Sequence, residues 1–371
     1  MATFTPSPPH PPDLHIPPSS STVTVRVIDS TTTLHLNPPL FWAPEIPGLT
    51  GIDAPALCFL ISHETQNRHV LFDLGVRKDW ENYAPITVDL INRTTRVTVE
   101  KGVAEILDEQ YYQNEVTNDS IAEKYMIRST DIEAIIWSHH HFDHVGDPST
   151  FPPTTSLIVG PGVKNLAWPG YPSNETAAVL DSDILGRNVA EINFTSNACK
   201  IGRFNAADYF GDGSFYILDA PGHSVGHLCA LARVTSDADS FVFMGGDAAH
   251  HPGLLRPSIY LPLPDSIHPS PFTSSAPCTR ELLQRIHPQR SLTEPYLRPA
   301  RGMFPAYDEA EETLRKIQEF DAQGNILVIL PHDRSILGAV EMFQGAVNGW
   351  LEQGVKERVR WAFLGDFEGA L

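Results

Sequence analysis

The 371 residues suffice for one large domain or two ordinary ones, and 42% hydrophobic residues are ample for a core. With 26 basic against 45 acidic residues the formal charge is −19, which counts against nucleic acid and anionic membrane surfaces as partners, because both are held through Lys and Arg. Neither a charged start with an apolar leader nor a run near the roughly 18 apolar residues of a membrane span occurs, so a soluble, cytoplasmic protein is expected.

Residues 1–22, rich in Pro, Ser and Thr, are expected to form a disordered tail before a single domain at 23–371. Residues 23–28 alternate as a half-buried strand, and 56–61 and 69–72 follow as two more. Helical spacing runs through 99–110, with Val103, Ile106 and Leu107 on one side. Residues 134–137 are continuously apolar, as a strand in a covered sheet should be. Further strands are expected at 156–159, 215–219, 228–234 and 241–244. The segment from about 251 to 306 contains Pro252, Pro257, Pro262, Pro264, Pro269 and Pro271, which predicts an ordered loop without regular elements, placed as a lid. A helix is expected at 307–320, a last core strand at 325–330, and a packing helix through Met342, Val347 and Trp350. Cys58, Cys199, Cys229 and Cys278 form no C-x-x-C pair and read as free thiols, the apolar surroundings of Cys58 and Cys229 suggesting burial.

Chemistry concentrates just after the strand at 134–137, in Ser138-His139-His140-His141-Phe142-Asp143-His144. His139 and His141 are two apart and project to one side of extended backbone, so both can reach one metal. Asp143 and His144 project differently and can serve a second ion. Later come His223 in Pro-Gly-His, Asp247 in Gly-Gly-Asp and His332 in Leu-Pro-His. Imidazole with carboxylate suits zinc, and also iron or manganese. His140, His227 and Asp333 read as structural residues, and so by preference do His250 and His251, with lining a pocket close to Asp247 as their alternative.

The H-x-H-x-D-H pattern, the three later elements in that order, and Val70-Leu71-Phe72-Asp73-Leu74-Gly75 resemble the metallo-β-lactamase superfamily. The resemblance implies an α+β fold, an αββα sandwich of two mixed sheets flanked by helices. It further implies two Zn2+ per chain: His139, His141 and His223 on the first ion, Asp143, His144 and His332 on the second, Asp247 bridging them, and Asp73 orienting a ligand. Water shared by two such ions is deprotonated near neutral pH and becomes a nucleophile. Asp143 is the candidate for moving a proton to the leaving group. The expected reaction is opening of a cyclic ester or amide, a small-molecule substrate of secondary or xenobiotic metabolism. Phe41, Trp42, Trp80, Tyr83 and Trp168 are candidates to hold an apolar ring. A thioesterase of glyoxalase-like or polyketide-releasing type is the main alternative, for which Arg298, Arg301, Arg315 and Lys316 are the available basic groups. A phosphodiesterase, a single-iron sulfur dioxygenase and a non-catalytic metal binder are the others. Oligomeric state is left open.

Overall fold

The computed structural model describes residues 7–117, 127–195, 198–273 and 278–371. Two six-stranded sheets each run in sequence order. The first contains β1 (Thr24–Asp29), β2 (Leu57–His63), β3 (Arg68–Phe72), β4 (Ala134–Ile136), β5 (Ser156–Val159) and β6 (Val189–Glu191). Its β1–β2–β3 part is antiparallel and its β3–β4–β5–β6 part parallel. The second contains β7 (Ala198–Ile201), β8 (Phe204–Asp208), β9 (Phe215–Asp219), β10 (Leu228–Arg233), β11 (Phe241–Met244) and β12 (Ile326–Ile329). It is antiparallel up to β11, which pairs in parallel with β12.

Alternation along the strands makes the layers. Val25, Val27, Phe59, Ile61, Val70, Phe72 and Ile136 face Phe215, Ile217, Val242, Met244, Leu327 and Ile329 in one buried cluster between the sheets. The residues in between, such as Leu60, Leu71, Ile135, Leu231 and Phe243, belong to an outer cluster that includes Leu314, Ile317 and Phe320. Those last three lie on the helix Tyr307–Asp321. Strands buried on both faces read as unbroken apolar runs, which is why β4, β11 and β12 were legible. This is the mixed-sheet sandwich that the resemblance implied.

Several expectations are corrected. Residues 1–6 of the expected tail lie outside the described residues. Residues 7–22 lack regular structure but are fixed on the domain: Leu14 is buried, its carbonyl accepts from Gly202 at 2.6 Å, and Arg233 donates to the Pro17 carbonyl at 2.6 Å. Proline keeps this segment extended, but its carbonyls and Leu14 still find partners. The Pro-rich segment at 251–306 is not free of regular structure. It holds the helix Arg280–Ile286, which the side chain of Thr279 caps by accepting from Leu282. The C-terminal region is not one helix through Trp350; Gly349 and Gly354 interrupt it, leaving 3-10 turns and the short helix Val355–Val359. Three elements near the site were not foreseen: a three-stranded sheet of Thr32–Leu36, Ile52–Ala54 and Val97–Val99, a turn of helix Pro38–Phe41, and the helix Pro85–Thr94. All four cysteines are free, and Cys199 is half-buried. Among the described residues no helix is long and apolar enough to cross a membrane.

Candidate metal centre

Strand ends gather the seven residues. β3 and β4 are parallel neighbours, so Asp73 and the 138–144 loop leave the first sheet at the same edge. His141 is the extended residue before a single helical turn, Phe142–Val145; this change of backbone swings Asp143 and His144 away from the His139–His141 pair. The turn is held from below, where the Tyr83 hydroxyl donates to the Phe142 carbonyl at 2.7 Å. Phe142 itself is half-buried, packing against the core and lining the cavity described below. Gly146 leaves the turn at φ +51°, and a Cβ there would meet Leu74 at 2.3 Å, so only glycine fits.

In the second sheet, the turn between β9 and β10 carries His223. The parallel pair β11–β12 brings Asp247 and His332 to one edge. Leu228 donates across the sheets to the Ser138 carbonyl at 2.8 Å, closing the two edges on each other.

Two four-residue sets result: His139, His141, His223 and Asp247, and Asp143, His144, Asp247 and His332. In the first, His223 Nε2 is 3.1 Å from His139 Nε2 and 2.9 Å from His141 Nδ1. Asp247 Oδ2 is 3.7 Å from His139 Nε2 and 3.6 Å from His223 Nε2. In the second, Asp247 Oδ1 is 3.1 Å from both His144 Nε2 and His332 Nε2. Asp143 Oδ2 is 3.4 Å from His332 Nε2 and 3.8 Å from His144 Nε2. Tetrahedral ligands about 2.05 Å from an ion stand roughly 3.3 Å apart, so both sets have the spacing of a coordination shell. Asp247 turns one oxygen to each.

Three of the remaining ring nitrogens have contacts outside the centre, whereas His223 Nδ1 is buried without a partner. His144 Nδ1 donates to Asp73 Oδ2 at 2.8 Å, and Asp73 Oδ1 accepts from the Ser138 amide at 2.6 Å. His332 Nδ1 donates to the Pro55 carbonyl at 2.8 Å, and His139 Nδ1 lies 3.0 Å from Ser138 Oγ. These contacts leave the Nε2 lone pairs of His144 and His332 facing the centre, as metal-ligating histidines require. His144 Nε2, His332 Nε2 and Asp247 Oδ1 are buried without a hydrogen-bond partner, a costly arrangement that a cation would relieve. The donor set therefore fits a pair of divalent ions.

Electrostatics divide the halves. Burial, then the neighbouring imidazoles, holds His139 well below the usual histidine range, and burial pushes His141 down to about 3. Both are neutral donors at pH 7. In the other half, burial also opposes charge, but nearby carboxylates outweigh it: Asp247, Asp73 and Asp143 hold His144 well above the usual range, and Asp247 and Asp143 bring His332 up to about 10. Cation binding there must displace protons.

His227 donates through Nδ1 to the Ala220 carbonyl at 3.0 Å, and Asp333 accepts from the Ser335 amide at 2.9 Å. His251 turns away to Asp366, 3.1 Å distant. His140 and His250 line a cavity of about 580 Å³ that also reaches His141, Asp143 and Asp247. Its wall is Leu34, Leu36, Leu40, Phe41, Ile86, Leu90 and Met303. Of the five aromatics considered for a ring site only Phe41 lies there; Trp42 is buried, Tyr83 supports the loop and Trp168 stacks on Trp137 at 5.7 Å. The aliphatic wall had no motif to announce it; the spacing of Ile86 and Leu90 on a helix was the one available signal.

The sequence profile described as metallo-beta-lactamase superfamily matches residues 127–285. The chain is 54% identical over 372 residues to "Metallo-hydrolase mfmC" of Annulohypoxylon moriforme, covering 100% of this chain and 94% of that one. It is 40% identical over 369 residues to "Gamma-lactamase FDB1" of Fusarium pseudograminearum, covering 96% and 85%. Its fold is similar to that of an N-acyl homoserine lactone hydrolase solved with N-hexanoyl-L-homoserine at its catalytic metal centre, with a TM-score of 0.54 at 16% identity, over 88% of this chain and 99% of the other. The chain thus belongs to the metallo-β-lactamase superfamily.

Proposed function

We propose that this hydrolase opens a cyclic ester or amide at a centre of two divalent ions, with zinc as the first choice. The observation that carries the reading is Asp247, one oxygen directed to each ligand set, at the floor of an apolar cavity. Bound ions would supply Lewis acidity towards a carbonyl and an acidified water. The chain's own residues do the rest. His139, His141 and His223 present neutral nitrogens on one side, and Asp143, His144 and His332 hold the other. The aliphatic wall excludes bulk water and packs the ring against the centre.

In the reaction the oxygen of water joins the carbonyl carbon, the ring C–O or C–N bond breaks, and a proton from water reaches the leaving atom. Asp143 is placed to carry that proton, its carboxylate being 12% exposed and 3.4 Å from His332 Nε2. An amide nitrogen needs that proton more than an alkoxide does.

Three of the four basic groups that a glyoxalase-like thioesterase could use are engaged elsewhere. Arg298 pairs with Glu294 and Glu311, Arg315 with Glu311 and Glu312, and Arg301 lies over Tyr307. The one cation lining the cavity among the described residues, Arg93, is 2.6 Å from Asp89.

The test is metal content per chain together with a panel of lactones, lactams, thioesters and phosphodiesters. Ring opening as the dominant activity of the metal-loaded protein is expected; hydrolysis confined to thioesters or phosphodiesters would overturn the reading.

A further inference from the structure

Two arms of the second sheet carry ligands into the second set: the turn after β11 with Asp247 and the loop after β12 with His332. A short way along each arm stands a side chain that neither ligand set includes, His251 four residues past Asp247 and Arg334 two past His332. Both reach the same carboxylate. His251 Nε2 is 3.1 Å from Asp366 Oδ2, and the Arg334 guanidinium pairs with Asp366 Oδ1. Asp366 belongs to the last 3-10 segment, Ala362–Ala370, and its side chain is 6% exposed. One carboxylate thus ties the two arms from behind, as Asp247 joins the two ligand sets from within.

Each part of this tie is itself fixed. The Gly253 amide donates to His251 Nδ1 at 3.0 Å, which places the ring hydrogen on Nε2 and aims it at Asp366. Trp42, Phe363 and Phe367 surround that ring, with centroids 5.5, 5.5 and 5.4 Å away. The C-terminal segment has anchors of its own. The Thr273 amide donates to Glu368 at 2.9 Å, and a Cβ on Gly48 would meet the Gly369 carbonyl at 2.1 Å, so the two backbones lie in direct contact. The carboxylate is therefore held independently of the arms it joins. Ligands must stand within about 0.5 Å of their working positions, and contacts one step behind them are worth about 10- to 100-fold in metal affinity.

Resting on the paired-metal reading above, we propose that Asp366 is a positioning residue for the second ion: through His251 and Arg334 it sets the separation of Asp247 from His332, so the C-terminal segment completes the metal centre. The first set takes Asp247 but nothing from the His332 loop, and depends on the tie less.

The experiment uses the full chain loaded with zinc, as wild type, Asp366→Asn, Arg334→Met and the double variant. Asparagine keeps the size of the carboxylate, but its single oxygen can accept from only one arm. Zinc per chain is counted by native mass spectrometry along a chelator series. Asp366→Asn should release one ion at about 10-fold less chelator than wild type, while the other ion stays at its wild-type value. Arg334→Met, at a half-exposed site, should act in the same direction. The double variant should lose no more than Asp366→Asn alone, because both changes open one tie. Release of both ions as in wild type would overturn the assignment, as would equal weakening of both ions or losses that add in the double variant. Should Asp366→Asn fail to fold, Arg334→Met decides by the same one-ion criterion. A wild type holding a single ion defeats the paired centre and this inference together; two ions in the wild type with unchanged variants defeats the inference alone.

Discussion

The two sides of the centre are built by opposite rules. The ligand side consists of residues at strand ends, nearly all buried, and three of its imidazoles have a second contact: Asp73 on His144, the Pro55 carbonyl on His332, Ser138 on His139. The cavity side consists of aliphatic groups on segments outside the two sheets. Two of them, Ile86 and Leu90, remain 48% and 45% exposed. Rigidity belongs where geometry sets the chemistry, and loosely covered apolar surface belongs where a ligand must enter.

That contrast orders the expected effects of substitution. On the ligand side, Asp247→Ala removes an oxygen from both sets at once. Activity should fall more than about 100-fold, and metal per chain measured by elemental analysis should drop with it; retention of both would show that the carboxylate is not shared. One contact further out, Asp73→Asn keeps an acceptor for Ser138 but loses the charge that orients His144. Metal affinity, read by competition with a chelator, should weaken about 10- to 100-fold.

On the cavity side the effect moves from metal to substrate. Leu90→Ala removes half-exposed methyl groups, so the melting temperature should hardly change while KM for an apolar lactone rises on the order of 10-fold. An unchanged KM would place the substrate elsewhere. The smallest effect lies outside both regions. Burial raises the Asp183 carboxyl to about 7, even though it accepts from the Leu180 amide at 2.9 Å. A folded-state value above the unfolded one means that the native state holds the proton more tightly. Its contribution to stability is then full below about pH 4 and is lost as pH rises through about 7. Asp183→Asn should therefore raise the melting temperature at pH 8 and converge with wild type near pH 4; an identical pair of curves would contradict this.

The sequence was informative in proportion to how regular the physics is. Unbroken apolar runs marked β4, β11 and β12, and the residues just beyond them supplied His139, Asp247 and His332. Two-residue spacing foretold that His139 and His141 would meet. Nothing local foretold the helical turn that redirects Asp143 and His144, because its four residues are stabilised by the distant Tyr83 hydroxyl. The cavity wall was illegible for a different reason: Leu40, Ile86 and Met303 look like any core residues until tertiary packing leaves them partly exposed. The Pro-rich segment misled because proline density argues against regular structure on average, whereas residues 280–286 contain none and carry their own cap in Thr279.

The shared carboxylate between two ligand sets is tested most directly by counting zinc per chain in wild type and His332→Ala by native mass spectrometry. Two ions in the wild type and one in the variant are predicted, since His332 serves one set alone. A single ion in both proteins, or two in both, would contradict the paired centre.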